Sequence, residues 1–327
     1  MIRSVLAATV MFAATLGVPL TAAAQAYPAK PINLVIPFVA GGDSDLSGRL
    51  LAQFVGKQLG GAIFIPLNRV GASGSIGTML VRTAVPDGYT LLVARIATHA
   101  IFPALESKAP YKWNEFTMLS LLELNPYVCA VRTDSTVRNV AELFAALRRD
   151  PGKLNYSTAG PGTSQNMASQ YLMSIGGLKS DAAVGIHYKG GGEVTTALLG
   201  GQVQFACNNA TTMVSQIRAG ALRALFVTTP ERLAEIPDVP TAREAGVADM
   251  ERIVGWTALM GPPGMSKELV DRWSVALAAV ARDPEWLAAI AKIGGIPAIR
   301  SPMETERFVR EQFELYDRLI TTLGIRQ

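Results

Sequence analysis

Two glycine-rich stretches carry the groups with which this chain would hold a ligand. In the first, Leu34-Val-Ile-Pro-Phe-Val-Ala-Gly-Gly-Asp-Ser-Asp45, a buried strand runs into a tight turn and the first turn of a helix. Pro37 lacks an N–H and ends the strand's ladder. Gly41 and Gly42 let the backbone turn sharply and a ligand approach it closely. Asp43, Ser44 and Asp45 are all competent N-caps. The second stretch, Leu154-Asn-Tyr-Ser-Thr158 followed by Ala159-Gly-Pro-Gly-Thr-Ser164, repeats the device. A helix start has N–H groups without intrahelical acceptors and the positive end of the dipole, so each loop suits a negative group. The plainer reading of either loop alone is an ordinary strand–helix connection.

Catalytic readings find less support. Gly71-Ala-Ser-Gly74 is followed by Ser75, so it is no G-x-S-x-G nucleophile elbow, and Gly190-Gly-Gly192 lacks the Lys-Ser/Thr of a phosphate-binding loop. Asp43, Asp45 and Asp87 would serve as paired carboxylates, but capping and turn roles account for all three. His99 follows a strand as a general base would, or is a satisfied core histidine. With only His99 and His187 in the chain, a zinc site has little to build with, and neither a metal nor a cofactor is expected. Cys129 and Cys207 lie in apolar, strand-like contexts. An oxidising compartment permits a bond between them, but one distant pair is no framework, and two buried free thiols are expected.

The elements that position these groups alternate. Strands are expected over 32–38, 62–67 and 89–94, with helices from 46 to 59 and through Met79 and Val81. A second series has strands at 154–158, 184–188, 203–207 and 221–227 with helices between, and after residue 261 the pattern is helical. Asp283-Pro284 and Ser301-Pro-Met-Glu304 read as helix starts, the latter a capping box. This rhythm argues an α/β architecture with largely parallel sheets.

At 327 residues, 49% apolar and 17% charged, the chain suits two packed domains. A net charge of +4 without any block of like charge gives no ground for nucleic acid. Met1-Ile-Arg3, an apolar stretch from Leu6 to Leu20 and Ala24-Gln-Ala26 make residues 1–26 a cleavable secretory signal peptide. No cysteine sits at the cleavage point for a lipid anchor. No other stretch reaches the ~18 apolar residues of a membrane span, so the mature protein is expected to be soluble.

From Tyr27 onward the chain resembles the substrate-binding receptors of tripartite tricarboxylate transporters, the Bug-type periplasmic proteins. The resemblance rests on an ordered set: the first loop, Asn68-Arg-Val-Gly-Ala-Ser-Gly74, Asp87-Gly-Tyr-Thr-Leu-Leu92, Pro151-Gly-Lys-Leu-Asn-Tyr-Ser157, Tyr188-Lys-Gly-Gly-Gly192, Gly200-Gly-Gln-Val-Gln204 and Ile236-Pro-Asp-Val-Pro-Thr-Ala-Arg-Glu-Ala-Gly246. It implies a type II periplasmic-binding-protein fold, with residues 27–124 and 255–327 forming a discontinuous domain 1 and 125–254 forming domain 2. Two crossing strands would join them. It further implies a periplasmic monomer that captures a small carboxylate between the domains and delivers it to membrane permease subunits, without chemistry. The implied binding residues are Gly41, Gly42, Ser44 and Asp45; Thr98 and His99; Gly160, Thr163 and Ser164; and Gly190, Gly191, Gly192 and Asn208.

The departures bear on specificity. Val39, Ala40 and Asp43 replace the prolines and small residue usual in the first loop, Val70 replaces a proline, Arg95 and Ile96 replace small polar residues, and Asn208 stands where Asp is common. Arg95 either pairs with the second carboxylate of a dicarboxylate, pairs with Asp43, or points to solvent. Asp43 itself either caps its helix facing away or is held by Arg95. Rival readings are a secreted hydrolase using Ser44, Ser73 or Ser164 with His99, and a receptor that feeds a signalling sensor.

Overall fold

The computed structural model describes residues 27–326, so the expected signal peptide lies outside the described residues. The chain first builds β1 (Ile32–Ile36), α1 (Asp43–Gln58), β2 (Phe64–Asn68), α2 (Ser75–Arg82) and β3 (Thr90–Arg95). A π-helical turn, Ala97–Ile101, leads into the short α3 (Phe102–Leu105) and then β4 (Thr117–Asn125). Pro126 alone separates β4 from β5 (Tyr127–Arg132), which belongs to a different sheet. There follow α4 (Val140–Arg149), β6 (Leu154–Thr158), α5 (Ser164–Ile175), β7 (Ala183–His187), α6 (Gly191–Leu199), β8 (Phe205–Asn209), α7 (Ala210–Arg218) and β9 (Leu222–Val227). The chain then returns through β10 (Gly255–Gly261) to α8 (Lys267–Val280), α9 (Pro284–Lys292), β11 (Ile296–Pro297) and α10 (Pro302–Leu323).

The strand order is β11-β4-β10-β3-β1-β2 in the first sheet and β7-β6-β8-β5-β9 in the second. Both are mixed rather than largely parallel. β1, β2 and β3 pair in parallel, as do β6, β7 and β8. β10 runs antiparallel to both β3 and β4, and β5 to both β8 and β9. The antiparallel strands are the ones by which the chain enters one sheet from the other, and their direction follows from that entry rather than from a βαβ crossover.

Local chemistry fixes many boundaries. Ser301 and Glu304 form the capping box of α10, and Asp283 caps α9 with Pro284 following it. α10 buries Val309, Tyr316 and Ile320, while Phe313 stacks on Trp113. One apolar cluster runs through both sheets, taking in Val35 and Trp256 from the first and Phe205 and Phe226 from the second. Trp273 and Trp286 anchor another beneath α1.

The cysteines depart from expectation. Cys129 and Cys207 are not free thiols but a disulfide, formed between directly opposed residues of β5 and β8 with Cα atoms 4.0 Å apart. Seventy-eight positions separate them in sequence, and only the antiparallel register brings them together.

Candidate functional site

The first loop is tied from within. Asp45, buried on the first turn of α1, accepts from the Gly41 amide (2.9 Å), from Arg49 Nε (2.8 Å) and from Asn68 Nδ2 (3.0 Å). Burial pushes the Asp45 carboxyl upward, but these three donors outweigh it and hold the group below its ordinary range. Asn68 also donates to Phe38 O (3.0 Å), so the end of β2 braces the end of β1. Gly41, at φ +79°, makes the turn. The N-cap is Gly42, with no side-chain cap, so Asp43, Ser44 and Asp45 all fall inside the helix. The amides of Asp43 and Ser44 thus sit in a first turn where no intrahelical carbonyl reaches them.

The second loop is tied by hydroxyls. Thr163 caps α5, donates to Gly160 O (2.8 Å) and lies 3.0 Å from Thr158 Oγ1. Capping satisfies the Asn166 amide and leaves those of Ser164 and Gln165 in the open first turn. A Cβ at Gly162 would fall 2.3 Å from Leu105 Cδ2, so glycine there admits close packing against α3. Buried Asn208 is the joint behind this half. Its Nδ2 donates to Gly191 O (2.7 Å), Thr195 Oγ1 (3.0 Å) and Thr212 Oγ1 (2.9 Å), tying α6 to α7.

These elements enclose a cavity of about 200 Å³. The N-termini of α1, α5 and α6 open onto it through Gly42 to Ser44, Thr163 to Gln165, and Gly190 and Gly191; Asn209, where α7 begins, completes the ring. Arg95, Ile96 and Ala97 close one wall, and Lys189 is also on the lining.

Arg95 is buried at the end of β3. Its Nη1 donates to Thr257 Oγ1 (3.0 Å), and Nη2 lies 3.7 Å from Asp43 Oδ2. Thr257 in turn donates to Glu123 Oε1 (3.0 Å), an oxygen that also accepts from Ser47 and Asn125. Glu123 is fully buried, and burial raises its pKa against these donors and the nearby Arg95 charge. Asp43 also accepts from Asn209 Nδ2, a contact from the first sheet's side to the second's. So Arg95 lines the cavity and is paired with Asp43 at the same time.

Of the residues singled out from the sequence, Gly42, Ser44, Arg95, Thr163, Ser164, Gly190 and Gly191 line this cavity. Asp45, Gly160 and Asn208 stand behind it and hold its loops, as described. Gly41 faces a second cavity, and Gly192 lies one residue further into α6. Thr98 is wholly buried, accepting from the Arg95 amide (3.1 Å). His99 is equally buried against Tyr111 and Phe116, with Nδ1 2.9 Å from Thr98 Oγ1. Burial alone pulls its pKa down to about 3, and its Nε2 has no hydrogen-bond partner among the described residues. Lys189, Gln165 and Asn209 line the cavity without having been singled out. Their neighbours Gly190, Ser164 and Asn208 carried the visible signal.

A two-sheet protein with helix N-termini converging on a cleft between the sheets is a periplasmic binding protein in architecture. The chain belongs to the tripartite tricarboxylate transporter receptor family, whose family model matches residues 48–325. An Agrobacterium vitis relative, the UPF0065 protein in the TAR-I ttuE-ttuC' intergenic region, is 32% identical over 96% of this chain and 90% of its own length. BugT of Bordetella pertussis is 28% identical over 96% and 95%. Among solved structures, R. palustris Rpa4515 with adipate superposes with a TM-score of 0.82 at 26% identity, covering 92% of this chain and 99% of that one. MatC from Rhodopseudomonas palustris with bound malate gives 0.78 at 27% identity, covering 90% and 100%. Among the described residues no helix is long and apolar enough to cross a membrane.

Proposed function

We propose that this receptor captures a small carboxylate, of the short dicarboxylate class, in the cavity between its two sheets and passes it to the membrane subunits of a tripartite transporter. The observation that carries this reading is the convergence of three helix N-termini and Arg95 on one 200 Å³ cavity. First-turn amides and dipoles favour an anion, and a planar guanidinium suits a second carboxylate. The adipate and malate found in two relatives of the same fold agree in class.

On this reading residues 27–124 and 255–327 act as one lobe and 125–254 as the other. They hinge where Pro126 joins β4 to β5 and where the chain re-enters β10. A cleavable leader at residues 1–26 delivers the protein to the periplasm.

A thermal-shift screen of mono- and dicarboxylates tests the reading. A ligand at 100 times its Kd adds about 2.7 kcal/mol of apparent stability. Malate or adipate should raise the melting temperature and their diamides should not. A panel in which no carboxylate shifts the transition would reject it.

A further inference from the structure

A larger cavity of about 480 Å³ lies behind the first. Its walls come from α1 and the end of β4 on one side, α7 and residues 233 and 235 on the other, and the segment 291–296. Among the described residues only Asp43 lines both cavities. Its carboxylate is held from the second sheet by Asn209 Nδ2 and from the first by Arg95, 3.7 Å away. The Ser47 hydroxyl oxygen lies 2.8 Å from its backbone carbonyl oxygen.

We propose that the two cavities are compartments of one ligand site, and that Asp43 is the partition that sets the length of ligand admitted. This rests on the carboxylate-receptor reading above. A chain seated by one carboxylate on the front amides and growing toward the rear meets the Asp43 side chain, which is both bulk and negative charge. The front compartment alone then takes short dicarboxylates. The rear compartment is suited to a longer one. Leu46, Val214 and Ile293 give it apolar wall for a methylene chain, and Arg218 and Lys292 offer cations to the far carboxylate. Its acidic lining besides Asp43 is Glu123 and Glu235; Glu123 Oε1 is bonded to Ser47, Asn125 and Thr257, while Oε2 has no partner among the described residues.

The test is calorimetric titration of succinate, adipate, suberate and sebacate into wild type, Asp43→Gly and Asp43→Asn. Wild type should bind the short acids and lose roughly tenfold or more at some point along the series. Asp43→Gly removes the partition and should move that cut-off to longer acids. Asp43→Asn keeps the bulk without the charge, so it should strengthen all dianions and leave the cut-off in place. An unchanged cut-off in Asp43→Gly would overturn the partition while leaving the receptor reading intact. So would a cut-off that moves equally in Asp43→Asn. Failure of all three proteins to bind any of the acids would instead overturn the receptor reading, and the partition with it.

Discussion

The two sides of the cleft are built from different materials. On the first sheet's side, the amides at the start of α1 stand beside Asp43 and Arg95, which are backed by a polar chain through Thr257, Glu123 and Ser47, all joined by hydrogen bonds or ion pairs. On the second sheet's side, the wall is made of amides and hydroxyls at the starts of α5 and α6, locked from behind by neutral Asn208 and by a disulfide. Lys189, a charged residue of its lining, is exposed. Amides and dipoles favour any anion and distinguish poorly between them. A placed guanidinium facing a placed carboxylate distinguishes by geometry and charge. The second side should therefore supply general affinity, and the first side discrimination.

The largest expected effect falls on the neutral side and should spare the ligand. Replacing both Cys129 and Cys207 by serine opens a loop of 78 positions, for which the chain-entropy account gives a loss of about 4 kcal/mol. Neither cysteine lines the cavity. Urea unfolding should show the loss, while carboxylate affinity at saturating folded protein should change less than about twofold. A large affinity change would mean that the bond shapes the cleft as well as stapling the sheet.

Arg95→Ala comes next and should do both. It leaves Asp43 without its cation and Glu123 without the nearby positive charge, a situation that costs on the order of 3 kcal/mol when the partner charges are buried. Asp43 is partly exposed, which tempers its share. Dicarboxylate affinity should fall more than monocarboxylate affinity. Equal losses, or none, would remove Arg95 from the ligand's second carboxylate.

These contrasts mark what the sequence made legible. Caps such as Ser301 and Asp283 declare themselves within four residues, and strand–glycine–helix loops within ten, because their physics is local. The pairing of Asp43 with Asn209 spans 166 positions, and that of Cys129 with Cys207 depends on the register of β5 against β8. Neither distance is encoded in any motif. His99 shows the converse. Its place after a strand near the cleft suggested a ligand contact, yet the π-helical turn carrying it points the ring into Tyr111 and Phe116. The geometry of that turn decides between cleft and core, and periodicity cannot resolve it.

That burial gives the two sides different responses to acid. His99 is held neutral, its pKa lowered from 6.5 to about 3 by burial, whereas His187 is exposed. The unfolded chain protonates near 6.5 and the folded one does not, so folding releases a proton in between. Stability should therefore be lost as pH falls from about 6.5 toward 3, by up to about 1.4 kcal/mol per pH unit from this group. Urea midpoints in His99→Phe should show a shallower slope over that window, and those in His187→Phe should keep it. An unchanged slope in His99→Phe would assign the acid sensitivity elsewhere.

The smallest effect gives the sharpest reading of the division between the two sides. Thr163 caps α5 and binds Gly160 O, so Thr163→Ala should cost about 1 kcal/mol of stability. It also loosens the turn that aims the Ser164 and Gln165 amides. Because those amides meet whichever carboxylate seats there, affinity should fall by a similar factor, roughly fivefold, for mono- and dicarboxylates alike. Thr163→Ser should restore both. Titrating one ligand of each kind into the two variants decides the matter. If Thr163→Ala discriminates between them as Arg95→Ala is expected to, then specificity is shared across the cleft. The polar chain behind Asp43 would then be chiefly a brace for the first sheet.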